Sequence, residues 1–182
     1  SGSIGSGKTR AAVGLAEVLG VPKRIATITD KGDQDFWVSV SGGGLLCFDN
    51  VDSRIRWFSD AMQSAATDGT QETRRMYSHD RLVLSARANI IITSSNPMFA
   101  ADSGLADRLI VVRLDRRLTD TAESALTADI EEHRSECITW MARTLSAALA
   151  NHTQPSRGLN RRHPDFAAFA IRCAAAMGCV QE

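Results

Sequence analysis

The first nine residues constrain this chain most, because they match a phosphate-binding loop at each of its fixed positions. The segment reads SGSIGSGKT and contains G-x-x-x-x-G-K-[ST] from Gly2 to Thr9. Glycines let the backbone approach a phosphate closely, and its N–H groups then bind the anion together with the N-terminus of the next helix. The alternative is a Gly/Ser linker that ends by chance in Lys-Thr. A helical pattern starts directly afterwards, which favours the phosphate loop.

Each residue type in this loop has its own expected role. Lys8 should reach the β- and γ-phosphates, and the Thr9 hydroxyl should be a Mg²⁺ ligand. The remaining binding groups are backbone N–H groups, and we assign them to Gly2, Ser3, Gly5, Ser6 and Gly7. The sequence therefore predicts a site for a phosphorylated ligand at the very start of the chain.

Apolar periodicity predicts an α/β order for the first two thirds of the chain and helices for the rest. The predicted helices are Lys8–Leu19, Asp33–Val40, a helix from Ile55 to Ala65, one or two helices over about 120–150, and a last helix opened by Pro164. The predicted strands are Arg24–Thr29, Leu45–Asp49, a hairpin with arms 74–77 and 81–86, Asn89–Ser94, which should be buried on both faces, and Leu109–Leu114. Trp37, Trp57 and Trp140 are expected in helix cores.

Size and composition exclude several classes of protein. The chain has 182 residues, 43% of them hydrophobic, which suits one α/β domain with a small helical appendage. Lys+Arg and Asp+Glu are equal at 21 each, so any nucleic-acid site must be a local patch. The four cysteines lack metal or redox spacing, so we expect reduced thiols and a cytoplasmic location. No apolar run is long enough for a membrane span, and no membrane partner is expected.

Only Ser1 precedes the phosphate loop, although such a loop normally follows the C-terminal end of a buried strand. We therefore expect that the first strand of the fold is missing from this chain and that the sequence is a fragment of a larger protein.

Asp49 is the second candidate of the phosphate site, because it ends an apolar strand as a Mg²⁺-binding aspartate does. A turn-forming Asp is the alternative, and the loop at Gly2–Thr9 decides against it. The next residue is Asn50, where many related ATPases place a water-activating glutamate. An amide can orient water but accepts no proton. Asp52 is a substitute base or, equally, a helix N-cap.

Polar residues follow the next predicted strand as Thr93-Ser94-Ser95-Asn96. We select Asn96 as the group that contacts the γ-phosphate or the attacking water, with Ser94 and Ser95 as rivals and an Asn-Pro turn as the structural alternative. Arg108, before the last predicted strand, is expected to reach a neighbouring subunit's nucleotide, where it would stabilise the transferring phosphoryl group. Its alternative is a surface salt bridge with Asp102 or Asp107.

The order of these segments resembles AAA+ ATPases, and more narrowly the superfamily 3 helicase-related ATPases of phages, plasmids and other mobile elements. The resemblance covers about the first two thirds of the chain and is most specific at the phosphate loop. It implies an α/β P-loop NTPase core, 1–117, with a parallel sheet flanked by helices, and a helical region, 118–182. It also implies ATP as substrate, Mg²⁺ as cofactor and a homo-oligomeric ring.

In that family a hairpin before the strand at 89–94 contacts DNA, expected here to be single-stranded. The matching tip is Ser78-His79-Asp80, so His79, Arg74 and Arg75 are the nucleic-acid candidates. The predicted function is an ATP-hydrolysing, helicase-like motor in mobile-element replication. A slow, nucleotide-gated switch or loader is the alternative, and a small-molecule kinase with an Arg113, Arg116 and Arg117 lid fits less well.

Overall fold

The computed structural model describes residues 1–2, 5–28, 32–52, 55–67, 69–74, 80–96, 103–116, 121–151 and 163–179. The chain divides into two compact units, residues 1–122 and 123–182. The first unit contains a sheet with helices and a separate hairpin, and the second is helical.

The first unit is α/β and is built on a parallel sheet of three strands: β1 (Arg24–Ala26), β2 (Gly44–Phe48) and β5 (Ala88–Ile92). Their order is β1-β2-β5, so β2 is central, and its apolar residues make it the most buried strand. The register pairs Cys47 with Ile91 and Phe48 with Ile92. The expected burial of the 89–94 strand on both faces is wrong, because β5 is half-buried over most of its length.

Four helices accompany the sheet: α1 (Lys8–Leu19), α2 (Asp33–Ser41), α3 (Arg56–Ala65) and the short α4 (Ser103–Ala106). Aromatic rings form the centre of the core, with Phe36 stacked on Phe48 at 5.3 Å between ring centroids. Phe58 contacts both rings edge-on, and Trp37 is buried as predicted. The α2 and α3 faces chosen from helical periodicity therefore pack against the central strand.

An antiparallel hairpin is present, formed by β3 (Thr70–Arg74) and β4 (Arg81–Ser85). The second arm agrees with the sequence prediction, whereas the first arm begins at Thr70, four residues before the predicted start at Arg74. Cross-strand pairing explains the difference, because the register opposes Thr70 to Ser85 and Arg74 to Arg81. Residues 75–79, which include Arg75 and the predicted tip residue His79, lie outside the described part of the chain.

The prediction of a strand over Leu109–Leu114 is wrong, because the structure describes no strand there. The described pairing of this segment is one parallel bridge between Gly2 and Leu114, with the Leu114 N–H donating to the Ser1 carbonyl at 2.8 Å. A strand is stabilised by the backbone hydrogen bonds that it shares with a neighbouring strand. This segment has a single described bridge, and Ile110 is 76% exposed. The bridge nevertheless places this segment parallel to the start of the phosphate loop.

The second unit consists of α5 (Glu123–Ala150) and α6 (Pro164–Ala176), which pack against each other. Arg172 donates to the Asn151 carbonyl at 3.0 Å and lies over the Phe169 ring. The expectation of Trp140 in a helix core is wrong, since this side chain is 55% exposed. Although α5 has 28 residues, neither it nor any other described helix is apolar enough to cross a bilayer.

Candidate functional site

Two glycines of the segment before α1 adopt a backbone conformation that favours glycine. Gly5 and Gly7 adopt φ values of 80° and 75°, in the left-handed region that favours glycine. A methyl group on Gly2 would overlap the carbonyl oxygen of Leu114 and lie 2.6 Å from Ser6 Oγ. The glycines of the motif are thus required by the backbone, while Ser3 lies outside the described residues.

Lys8 begins α1 and turns back over the loop that precedes it. Its Nζ donates to the carbonyl of Gly2, six residues earlier in the chain, at 2.9 Å. This contact places the ammonium group at the mouth of the loop, where the loop N–H groups and the α1 N-terminus also favour an anion.

Thr9 and Asp49 meet directly, although they are 40 residues apart in the chain. The Thr9 hydroxyl donates to Asp49 Oδ1 at 2.6 Å. Asp49 follows β2 immediately, and its N–H donates to the Ala26 carbonyl at 2.9 Å, which continues the sheet pairing by one residue. The loop hydroxyl and the strand-end carboxylate therefore belong to one site, as the sequence predicted.

Thr93 is a member of this site that the sequence reasoning did not select. Its hydroxyl donates to the same Asp49 oxygen at 2.6 Å and accepts the Asn50 N–H at 2.9 Å. Thr93 is only 4% exposed. Its position follows from the register, because one further step beyond Phe48 and Ile92 sets Asp49 beside Thr93.

These contacts hold the Asp49 carboxyl group in its ionised form. The Thr9 hydroxyl lowers the pKa of Asp49 most, followed by the Thr93 hydroxyl, with smaller contributions from the Asn50 N–H and the Lys8 charge. Burial acts in the opposite direction. The site therefore presents a carboxylate, which is the form that binds a divalent cation.

Asn50 has a backbone reason to be present at its position. Its φ is 50°, and asparagine tolerates the left-handed region better than most residues. The side chain is exposed, and its N–H is the group that contacts Thr93. The capping alternative for Asp52 is wrong, because α3 begins at Arg56 with Ile55 as its N-cap and no side-chain cap bond.

Asn96 and Arg108 are not brought into contact with Asp49 by any described hydrogen bond. Asn96 is exposed, and its N–H donates to Ser94 Oγ at 3.2 Å, while the Ser94 hydroxyl donates to the Val51 carbonyl. Arg108 donates to the Gly104 carbonyl within its own chain. Their roles toward the γ-phosphate and toward a neighbouring subunit remain predictions.

Among the nucleic-acid candidates, Arg74 is described. It is exposed at the end of β3, opposite Arg81, and Arg81 forms a 2.7 Å ion pair with Glu72. These two arginines lie side by side next to the segment that connects the two strands, and such a pair is suited to a phosphate backbone.

Two observations test whether this site fits a nucleotide phosphate and Mg²⁺. Ser6 is 8% exposed, yet its hydroxyl has no partner among the described residues, so the loop contains a buried polar group that lacks a ligand. The described residues also contain no cluster of three or more His, Cys, Asp and Glu side chains suited to a metal. Mg²⁺ does not need such a cluster, because it is typically bound by one or two protein oxygens together with water and phosphate oxygens. The donor set of Thr9 and Asp49 fits that pattern.

Comparisons with protein-family models, with curated proteins and with solved structures give no match. The assignment of this site therefore depends on its geometry and on the residues that form it.

Proposed function

We propose that this chain is a P-loop NTPase domain that binds ATP with Mg²⁺ and hydrolyses it as a motor acting on DNA. The observation that carries the proposal is the 2.6 Å hydrogen bond between Thr9 of the loop and Asp49 at the end of β2. This contact supports the proposal because it joins the loop and the strand-end carboxylate that the sequence predicts as the two halves of a magnesium-nucleotide site.

The roles of the residues follow from their positions. The loop N–H groups and Lys8 bind the phosphates, and the ordered Thr9 and Asp49 oxygens hold Mg²⁺. When bound, Mg²⁺ neutralises the charge of the β- and γ-phosphates and stabilises the transition state of phosphoryl transfer. Thr93 keeps the Asp49 carboxylate in orientation. We assign the positioning of water and γ-phosphate to Asn96 and Asn50, and a contribution in trans to Arg108.

The DNA part of the proposal rests on the hairpin and on the resemblance to superfamily 3 ATPases. The hairpin lies between α3 and β5, the position at which that family presents its DNA-binding hairpin. Arg74 and Arg81 are exposed next to the segment that connects its two strands. We propose single-stranded DNA as the partner and a homo-oligomeric ring as the assembly. All four cysteines are free, which accords with the proposed cytoplasmic compartment.

Steady-state ATP hydrolysis with and without single-stranded DNA tests the motor. Wild type should hydrolyse ATP in the presence of Mg²⁺, and DNA should raise the rate. Lys8→Ala should remove both rates while keeping the unfolding temperature. An Arg74→Ala, Arg81→Ala double variant should keep the basal rate and lose the stimulation. Hydrolysis that is indifferent to DNA would argue against a motor.

A second candidate is a nucleotide-gated switch that binds ATP, assembles and hydrolyses slowly. Asn50 favours it, because the residue after Asp49 provides no carboxylate to accept the proton of the attacking water. Single-turnover and steady-state measurements separate the two candidates. A single turnover followed by negligible steady-state hydrolysis identifies the switch, and sustained turnover identifies the motor.

A further inference from the structure

Arg116 lies against the phosphate loop. A methyl group built on Gly5 would lie 3.8 Å from Arg116 Nε and 4.0 Å from its Cζ. The guanidinium group therefore lies beside Gly5, three residues before Lys8. From the sequence, Arg116 is expected only in the lid of the less favoured kinase alternative, and the proposed function gives it no role.

The backbone explains this position. Gly2 and Leu114 form a parallel bridge, so the chain after Leu114 emerges at the same end as the loop after Gly2. Two hydrogen bonds support the pairing, from Leu114 N–H to the Ser1 carbonyl at 2.8 Å and from the Ser1 nitrogen to the Val112 carbonyl at 2.6 Å. Arg116 is thus directed to the loop by main-chain pairing.

The charge at this position lacks compensation within the described residues. Arg116 is exposed and has no ion pair there, whereas Lys8 lies at the mouth of the same loop. Two cations and a buried Ser6 hydroxyl without a described partner thus belong to the same short loop. An anion with several charges satisfies all of them, and a planar guanidinium is well suited to bind phosphate oxygens in pairs.

We propose that Arg116 is a second cationic ligand of the triphosphate tail, acting in cis within the same chain as Lys8. This inference rests on the proposed function, since it requires that the loop binds a nucleoside triphosphate. It differs from the role expected of Arg108, which would act on the nucleotide of a neighbouring subunit. The ligand of Arg116 is the phosphate chain, and the base and ribose make no contribution to its effect.

Calorimetric titration of the 182-residue chain with Mg·ATP and with inorganic triphosphate tests the inference. The variants are Arg116→Ala and Arg116→Lys, with Arg113→Ala as the matched control, because Arg113 is an exposed arginine of the same segment. We expect Arg116→Ala to weaken both ligands by about 10- to 100-fold, the range of a lost charge-assisted hydrogen bond. The affinity of Arg116→Lys should lie between those of wild type and Arg116→Ala, and Arg113→Ala should bind both ligands as tightly as wild type. Sedimentation at the same concentration identifies the monomeric samples, in which action in cis requires the same loss of affinity.

The outcomes separate the inference from the function it rests on. If wild type binds ATP, Lys8→Ala does not, and Arg116→Ala binds as tightly as wild type, the role of Arg116 is excluded and the nucleotide site remains. Equal losses for Arg113→Ala and Arg116→Ala would indicate a general charge effect and overturn the assignment. A defect that appears only in an assembled sample would overturn action in cis. If wild type binds neither ligand, the proposed function itself fails.

Discussion

The Thr9 hydroxyl donates a hydrogen bond to Oδ1 of Asp49 at 2.6 Å, and this contact joins the first helix to the central strand. Folding alone does not require this contact, because water could satisfy the hydrogen-bonding groups of both side chains at a partly exposed site. Their juxtaposition places two oxygen atoms near the start of α1, where the proposed function puts Mg²⁺ and the phosphates of ATP.

Removal of the Thr9 hydroxyl should separate magnesium binding from phosphate binding. Thr9→Val keeps the shape of the side chain but removes one metal ligand and one donor to Asp49. We expect Mg²⁺ to increase the ATP affinity of wild type. The factor by which Mg²⁺ increases the ATP affinity of Thr9→Val should be about 10-fold smaller. Titrations with ATP in Mg²⁺ and in EDTA measure this. Thr9→Ser retains the hydroxyl and should behave as wild type, and an equal Mg²⁺ effect in all three proteins would contradict the assignment.

Thr93 should matter for stability as well as for the site. Thr93→Val leaves the Asn50 N–H without its described hydroxyl acceptor at a buried position, and it removes one donor to Asp49. We expect a loss of about 1–3 kcal/mol in the free energy of unfolding, measured by urea denaturation. Thr93→Ser keeps both hydrogen bonds and should lose less than half as much. The prediction fails if Thr93→Val is as stable as wild type.

The carboxyl group of Asp49 should make stability depend on pH in the acid range. Its pKa lies below the ordinary 3.8 in the folded state, chiefly because the Thr9 hydroxyl donates to it, so the unfolded state binds more protons there. Its stabilising contribution is complete above the unfolded pKa and is lost as the pH falls through the folded pKa. Urea unfolding between about pH 6 and about pH 2 should show a steeper fall for wild type than for Asp49→Asn.

The control for that experiment is Asp60→Asn, which changes an exposed carboxylate on α3. It should leave the pH dependence of wild type intact. An Asp49→Asn protein with the same acid profile as wild type would show that the two hydroxyl contacts do not favour the ionised form.

Cys47 should be the least reactive thiol of the chain. It is 5% exposed on β2, and burial together with the nearby Asp49 charge raises its pKa to about 11. At pH ~8 only about one molecule in a thousand would carry the thiolate. A variant that keeps Cys47 and replaces Cys137, Cys173 and Cys179 by Ser should react with a thiol reagent only after denaturation. Rapid modification of the folded protein would contradict the described burial.

Much of this site could be predicted from the sequence because its parts are local. The loop from Gly2 to Thr9 is continuous, and the apolar run before Asp49 identifies a buried parallel strand whose end carries a polar group. Parallel strands place such ends at one edge of the sheet, so the meeting of Thr9 with Asp49 required only the sheet direction.

The choice of Thr93 required the register, which the sequence does not contain. Four polar residues follow β5, and the one that contacts Asp49 depends on the pairing of Phe48 with Ile92. The sequence favours Asn96 as a polar residue after the strand that could contact the γ-phosphate or the attacking water, whereas Thr93 is the buried neighbour in the sheet. Arg116 was missed for a similar reason, because the Gly2–Leu114 bridge joins segments 112 residues apart.

The incorrect prediction of a strand at 109–114 has a related physical cause. An apolar, β-branched run predicts a strand, but a strand also needs a neighbour with which to share its N–H and C=O groups. The described neighbour of this run is Ser1–Gly2, which supplies a single bridge.

The central claim is that the loop from Gly2 to Thr9 binds the phosphates of ATP, and equilibrium binding of Mg·ATP to wild type and to Lys8→Ala tests it most directly. We predict that wild type binds and that Lys8→Ala, with an unchanged unfolding temperature, binds at least about 10-fold more weakly because it lacks the cation at the mouth of the loop. Equal affinities in the two proteins, or no binding by wild type, would contradict the account.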